Sequence, residues 1–190
     1  MAIRKIARMG HPVLRRRAAE VADPLAPGIQ ALIRDMLETM VDAEGLGIAA
    51  PQVHDSRRVV MFFVPDEAAE GEPRADAAPG AAPEPELMVL INPTIEPLTE
   101  EREAGWEGCL SVPGLRGLVA RPRVVRYRGV APDGSAVDRT AEGLHARVVQ
   151  HECDHLDGVL YPQRMDELSS LTFESEWRRF APAVEKGEAR

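Results

Sequence analysis

Cysteine is scarce in this chain of 190 residues: Cys109 and Cys153 are the only two. A single possible bridge is no disulfide framework, and a chain of this length can bury a core without one. Long apolar runs are missing as well. The longest, such as Val59–Val64, fall far short of the roughly 20 residues that cross a bilayer, so no membrane span is expected. The N-terminal stretch MAIRKIARMGHPVLRRR interrupts its apolar residues with arginines and lacks the hydrophobic centre of a secretory signal, which points to the cytoplasm. Positive charge is not in surplus either. A formal net charge of -8 leaves no basic footprint for nucleic acid or anionic lipid. Lysine is nearly absent beside arginine, which speaks of a GC-rich genome more simply than of a function. No internal repeat is present. What remains is a globular composition, 44% hydrophobic and 28% charged, at a length that predicts one domain over residues 1–190.

The acidity is concentrated. Asp66–Glu86 (DEAAEGEPRADAAPGAAPEPE) holds seven acids against one arginine and supplies -6 of the net -8. Rich in Ala and Pro and without a side chain able to fill a core, it is predicted to be a solvated loop inserted into the domain rather than a linker between two. On either side, Arg58–Val64 and Leu87–Asn92 have the apolar, β-branched character of strands. Helical spacing of apolar residues runs from Pro27 to Glu44, with Pro27 suited to the first turn and Gly45 to the end. Arg123–Val130, the turn Pro132-Asp133-Gly134 and Ala136–Thr140 predict a hairpin. A second helix is predicted over Ala141–Leu156, closed by Gly158, and a third over Glu167–Phe180 within a C-terminal tail spanning 167–190. Few strands alternate with helices of crossover length, so the fold class is α+β.

The second helix carries His151-Glu152-Cys153-Asp154-His155, the HExxH pattern. Histidines four apart share a helix face, so their imidazoles can converge on one metal ion with the glutamate near its open side. A water held by a divalent cation has a lowered pKa, and a nearby carboxylate can move its proton, which is hydrolase chemistry. A third protein ligand is required, and two candidates separate two reaction classes. Glu174, 19 residues past His155, would make a zinc peptidase; Cys109, in Glu107-Gly108-Cys109-Leu110-Ser111, would supply a thiolate. Cys153 lies some 200° around the helix from each histidine and is assigned to the core, and a Cys109–Cys153 disulfide is disfavoured in the cytosol. His11, His54 and His145 are read as surface or capping residues. Gly45-Leu46-Gly47-Ile48-Ala49-Ala50-Pro51-Gln52 describes backbone passing close to something; it is no phosphate loop, because no Lys-Ser/Thr follows. Gln52 offers a neutral amide to a developing oxyanion.

In order and spacing, Gly45–Gln52, Glu107–Ser111 and Gln150–Leu156 resemble the three signature motifs of the peptide deformylase family. The likeness extends through GHPVLR, LINP, SVPG and HLDGVLYPQRM and so covers most of residues 10–165. The resemblance implies removal of the formyl group from N-terminal formyl-methionine of nascent polypeptides. It implies antiparallel sheets packed around a central HExxH helix, with N-terminal and C-terminal helices. Cys109, His151 and His155 would bind one divalent metal ion, Fe2+ natively and also Zn2+, Ni2+ or Co2+. Glu152 would be general base and then acid, and the Gln52 amide and the Leu110 backbone N–H would hold the formyl oxygen. The peptide would lie extended beside Gly47 and the segment around Gly108, with its methionine in a pocket of Leu46, Leu144 and Val148. Glu107 with Arg121, and Asp154, are candidates to orient the metal site. The chain is expected to act as a monomer. Some members reach the ribosome through a basic C-terminal helix, but here Arg178, Arg179, Lys186 and Arg190 are mixed with Glu185 and Glu188, which weakens that route. Asp66–Glu86, Gly105 and Trp106 depart from the common pattern.

Overall fold

A computed structural model of the chain describes residues 2–64 and 86–180. The proposed loop over Asp66–Glu86 therefore lies, apart from Glu86, outside the described residues. The strands that flank it pair as expected: β2 (Val59–Phe63) runs antiparallel to β3 (Leu87–Pro97), with Phe63 opposite Leu87. With β1 (Gly47–Ala49), β6 (Val124–Val130) and β7 (Ala136–Glu142) they form a five-stranded antiparallel sheet in the order β1-β2-β3-β6-β7. A second sheet joins β4 (Arg102–Cys109), β5 (Val112–Pro122) and the short β8 (Thr172–Phe173).

The run VVMFF of β2 is apolar at every position because both faces are covered. Val59 and Met61 pack under α1 (Pro27–Asp42) with Ile29, Leu32, Met36 and Met40, whereas Val60 and Phe62 pack under α2 (Gly143–Leu156) with Ala146, Val149, Cys153 and Leu156. The five-stranded sheet is thus held between the two helices. α2 consequently stands at the centre of the molecule, between the two sheets. Among the described residues no helix is long and apolar enough to cross a membrane.

Four expectations need correction. α1 ends at Asp42, and the left-handed residue that closes it is Glu44 (φ 52°), with Gly45 N–H bonded to Met40 O at 2.9 Å. Gly45 serves a different need, since a Cβ there would sit 2.9 Å from Leu110 Cδ1. α2 starts at Gly143, because Ala141 and Glu142 are taken by pairing with Val125 and Val124 of β6. The third helix, α3, covers only Glu174–Phe180; Thr172 and Phe173 pair instead with Arg116 and Leu115 of β5. Finally, the β4–β5 hairpin was not foreseen at all. It reverses at Leu110-Ser111, with Cys109 paired to Val112 at its tip.

Candidate active site

A cleft of about 570 Å³ opens between the sheets. Its walls come from the Ala43–Gly47 segment, from the tip of the β4–β5 hairpin, from α2, and from Glu174 and Arg178 of α3. Leu46, Gly47, Gly108, Leu110, Leu144 and Val148 all line it. Val148 is buried, but Leu46 and Leu144 are 45% and 49% exposed, so the expected apolar pocket is open on two of its walls.

The helical period puts His151 and His155 on one face of α2, with ring centroids 5.1 Å apart. The hairpin brings Cys109 to them: its Sγ lies 3.4 Å from His155 Nε2, and one donor atom from each of the three residues lies within 4.8 Å of the others. Burial opposes ionisation of the Cys109 thiol, but the two imidazoles outweigh it and hold the thiol well below its ordinary range. Ser111 N–H also points at the sulfur, at 3.4 Å. A thiolate and two imidazoles at this spacing suit one borderline divalent cation.

His151 is fixed from behind, whereas the buried His155 Nδ1 has no hydrogen-bond partner among the described residues. His151 Nδ1 is 2.8 Å from Glu107 Oε2, so with Nδ1 donating to the carboxylate, the Nε2 lone pair is left for a ligand. Glu107 in turn accepts two hydrogen bonds from Arg121, at 2.6 and 2.9 Å, and Arg121 donates to Asp154 at 2.9 Å. Burial would raise the Glu107 carboxyl, yet the Arg121 and His151 hydrogen bonds hold it well below the usual carboxylate range. The suggested roles of Glu107, Arg121 and Asp154 thus correspond to one buried chain of contacts leading to His151.

Two partners in that chain were missed. Arg147 donates to Glu107 Oε1 at 2.9 Å and to the backbone oxygens of Glu103, Gly105 and Val119, pinning the hairpin to α2. Arg164 grips Asp154 at 2.6 Å. Arg147 lies four residues before His151 on the same face, which is the one signal that would have found it. Tyr161, also missed, stacks on the His151 ring at 6.3 Å.

Glu152 is 5% exposed, and its Oε2 has no hydrogen-bond partner among the described residues. Burial pushes its carboxyl up to about 7. Gly47 makes room for it: a Cβ there would fall 2.8 Å from Glu152 Cδ. Gly47→Ala is therefore expected to displace the carboxylate and lower turnover at least tenfold while leaving metal content unchanged, as kinetics and elemental analysis would read. Gln52 is buried, and its orientation is determined by its neighbours. Its Oε1 accepts from Ala49 N–H at 2.8 Å, which turns Nε2 toward Ser111 Oγ (3.2 Å) and Cys109 Sγ (3.5 Å).

The other candidates fall elsewhere. Glu174 is not in the ligand group; its Oε1 is bonded by Arg116 at 3.1 Å and Arg178 at 3.0 Å. Cys153 faces the core, where burial raises its thiol to about 12, and both cysteines are free. His145 is no surface residue: it is buried against Phe62, with Nε2 3.2 Å from Tyr127 Oη. His11 caps a short helical turn through Val13 N–H, and His54 is exposed beside it.

Comparisons with known proteins agree with this geometry. The family model described as polypeptide deformylase matches residues 3–170. Peptide deformylase 1 of Bordetella pertussis is 51% identical over 171 residues, spanning 90% of this chain and 92% of that protein. Peptide deformylase 1 of Nitrosomonas europaea is 48% identical over the same shares. Among solved structures, a class I type b peptide deformylase from Acinetobacter baumannii crystallised with Met-Ala-Ser bound superposes with a TM-score of 0.72. It is 36% identical, with 86% of this chain and all of that one covered. The peptide deformylase of Thermotoga maritima gives 0.74 at 32% identity, over 88% of this chain and all of that one. With both the family model and relatives of about half identical sequence matched along most of its length, this chain belongs to the polypeptide deformylase family.

Proposed function

We propose that this chain hydrolyses the formyl amide at the N-terminus of formyl-methionyl peptides, releasing formate and a free amino terminus. The convergence of the three sequence motifs carries this assignment: Gln52, Cys109, His151 and Glu152 line one cleft, and His155 joins Cys109 and His151 in one group of donor atoms. The residues would act as follows. Cys109, His151 and His155 would hold one divalent cation, which would supply Lewis acidity and lower the pKa of a water beside the scissile carbon. Glu152 takes a proton from that water as its oxygen attacks the formyl carbon, then gives the proton to the amine as the C–N bond breaks. The Gln52 Nε2–H and the Leu110 backbone N–H receive the carbonyl oxygen as negative charge builds on it. The water's oxygen leaves in formate; one of its protons passes through Glu152 to the amine nitrogen and the other is released to solvent or taken up by the new amine as formic acid ionises, so the step balances without an oxidant or reductant.

The thiolate in the donor set suits Fe2+, with Zn2+, Ni2+ and Co2+ as alternatives of similar softness. The peptide would pair as an added strand beside Gly47 and Gly108, its methionine against Leu46, Leu144 and Val148. Met-Ala-Ser bound to the Acinetobacter relative supports a short peptide as the occupant. All of these groups come from one chain, in keeping with a monomer built as one catalytic domain over residues 1–190. Cytoplasmic nascent chains are the proposed substrates. For the ribosome itself α3 offers little, since Glu174 and Glu176 accompany Arg178 and Arg179.

One pair of variants separates deformylase from a Glu174-dependent peptidase. Cys109→Ala is expected to lose the metal and all formate release from formyl-Met-Ala-Ser, whereas Glu174→Ala keeps its metal. Retention of a full equivalent by Cys109→Ala would overturn the ligand assignment.

A further inference from the structure

A second cavity, of about 910 Å³, adjoins the tip of the β4–β5 hairpin and shares Ala43, Leu110 and Pro113 with the catalytic cleft as a common wall. One side of it is the N-terminal segment, which is stitched to two of the catalytic motifs: Ala7 N–H donates to Gln52 O and Met9 N–H to Ser111 O, both at 2.7 Å. Hydrogen bonding by alternate amides holds this segment extended, and Arg4, Lys5 and Arg8 line the cavity from it. His11 and His54 complete the charged wall, with ring centroids 4.7 Å apart.

Positive charge is not cancelled here. Residues 1–17 hold one lysine, five arginines and no acidic residue, a local reversal of sign that the net charge of -8 conceals. Arg4 is committed to Asp35 at 2.8 and 3.0 Å, but Lys5 and Arg8 are exposed and have no carboxylate partner among the described residues. No Asp or Glu among the described residues lines the cavity; Asp55 is held by Arg57 at 2.7 Å, and Glu44 lines the catalytic cleft instead. Desolvation, His11 and Lys5 together hold the His54 imidazole below its ordinary range, as positive neighbours without a counter-ion do. His11 supplies a donor even when uncharged: its Nδ1 accepts from Val13 N–H at 3.2 Å, so Nε2 carries the ring proton.

We propose that this cavity is a second binding site, distinct from the catalytic cleft, for a ligand that carries two phosphates on ribose. An extended chain advances about 3.3 Å per residue, which sets Lys5 and Arg8 roughly 10 Å apart along the backbone. Two separated cations suit two phosphates joined through a sugar better than one compact anion, and the histidines add donors between phosphate oxygens and the wall. Ile6, Leu110 and Pro113 give the sugar and base an apolar surface, and the volume falls in the range of sites for small organic ligands. Such a ligand could be a free nucleotide or a stretch of RNA strand. Binding here uses none of the metal-binding residues, so the proposal stands independently of the deformylase assignment.

The test is calorimetric titration of the metal-loaded full chain with adenosine 3′,5′-bisphosphate and, separately, with a hexa-adenylate RNA. At 50 mM salt the better probe is expected to bind with a dissociation constant on the order of 10–100 µM, weakening about tenfold at 250 mM as two phosphate contacts require. Bisphosphate binding at least as tight as the hexamer's marks a free nucleotide as the ligand, and the reverse order marks an RNA strand; both support the site. Lys5→Glu and Arg8→Glu, at exposed positions, should each weaken binding about tenfold or more while melting temperature and formate release from formyl-Met-Ala-Ser stay unchanged. Arg179→Glu makes the same charge change on α3, where Arg179 stacks on Phe180, and should bind as the unaltered protein does. Saturating Met-Ala-Ser should not displace the probe. Absence of binding by both probes, binding that survives Lys5→Glu and Arg8→Glu, or displacement by Met-Ala-Ser overturns the proposal and leaves the deformylase assignment standing.

Discussion

Replacing Glu152 by Ala or Gln is expected to lower formate release by about 10³–10⁴-fold while the protein stays folded and metal-loaded. The carboxylate is buried, its Oε2 has no hydrogen-bond partner among the described residues, and Gly47 is pressed against it, so no described neighbour stands ready to move the proton in its place. Removing an unpartnered buried acid also relieves a desolvation cost, so neither variant should be less stable than the native chain. Only the ionised form can act as a base. Activity should accordingly fall as the pH drops through the Glu152 pKa, which burial sets at about 7 and which a neighbouring cation pulls lower. The combination to be measured is a steady-state rate, a metal content and a melting curve. A variant that retains even a tenth of the native rate would show that another group carries the proton.

Glu107→Gln should produce the opposite pattern, with stability and metal affinity lost together. Glu107 is 5% exposed and faces Arg121, Arg147 and His151 at 2.6 to 2.9 Å. An amide in its place leaves the buried Arg121 short of countercharge, which costs about 3–5 kcal/mol. Its effect on His151 is separate. Without a carboxylate on Nδ1, the ring is neither held in orientation nor made more basic, and metal affinity should weaken 10- to 100-fold. Denaturant unfolding of the metal-free protein and a chelator competition of the loaded protein read the two effects independently. A loss under 1 kcal/mol would mean that Arg121 finds enough compensation in Asp154, 2.9 Å away.

How much of this was legible depended on the range of the contacts involved. β2 and β3 were readable because burial on both faces makes a strand apolar throughout, and the α2 histidines because a helix repeats every 3.6 residues. The β4–β5 hairpin escaped because REAGWEGC and VPGLRGLVARP carry Gly, Pro, Glu and Arg, with no clean alternation. Their strand state comes from one another, in a register running from Arg102–Pro122 to Gly108–Arg116. α3 was drawn too long for a related reason: the 167–180 pattern is locally compatible with a helix, but β5 offers Thr172 and Phe173 an edge to pair with. His145 was misplaced because nothing local announces Tyr127 as its partner.

Local spacing determined that two histidines and a glutamate share one region of one helix, and that region suffices to suggest a metal-dependent hydrolase. Choosing between Cys109 and Glu174 as the third member was beyond local spacing, since both types of donor occur in catalytic sites. The tertiary structure favours Cys109 by folding the hairpin tip, 46 residues before His155, onto α2 and by committing Glu174 to two arginines on the cleft wall. The physical reason is that a helix sets the separation of its own side chains through its backbone geometry. A site assembled from distant segments is set by packing and buried ion pairs, here Glu107 with Arg121 and Arg147, which exist only once the sheets have closed around the helix.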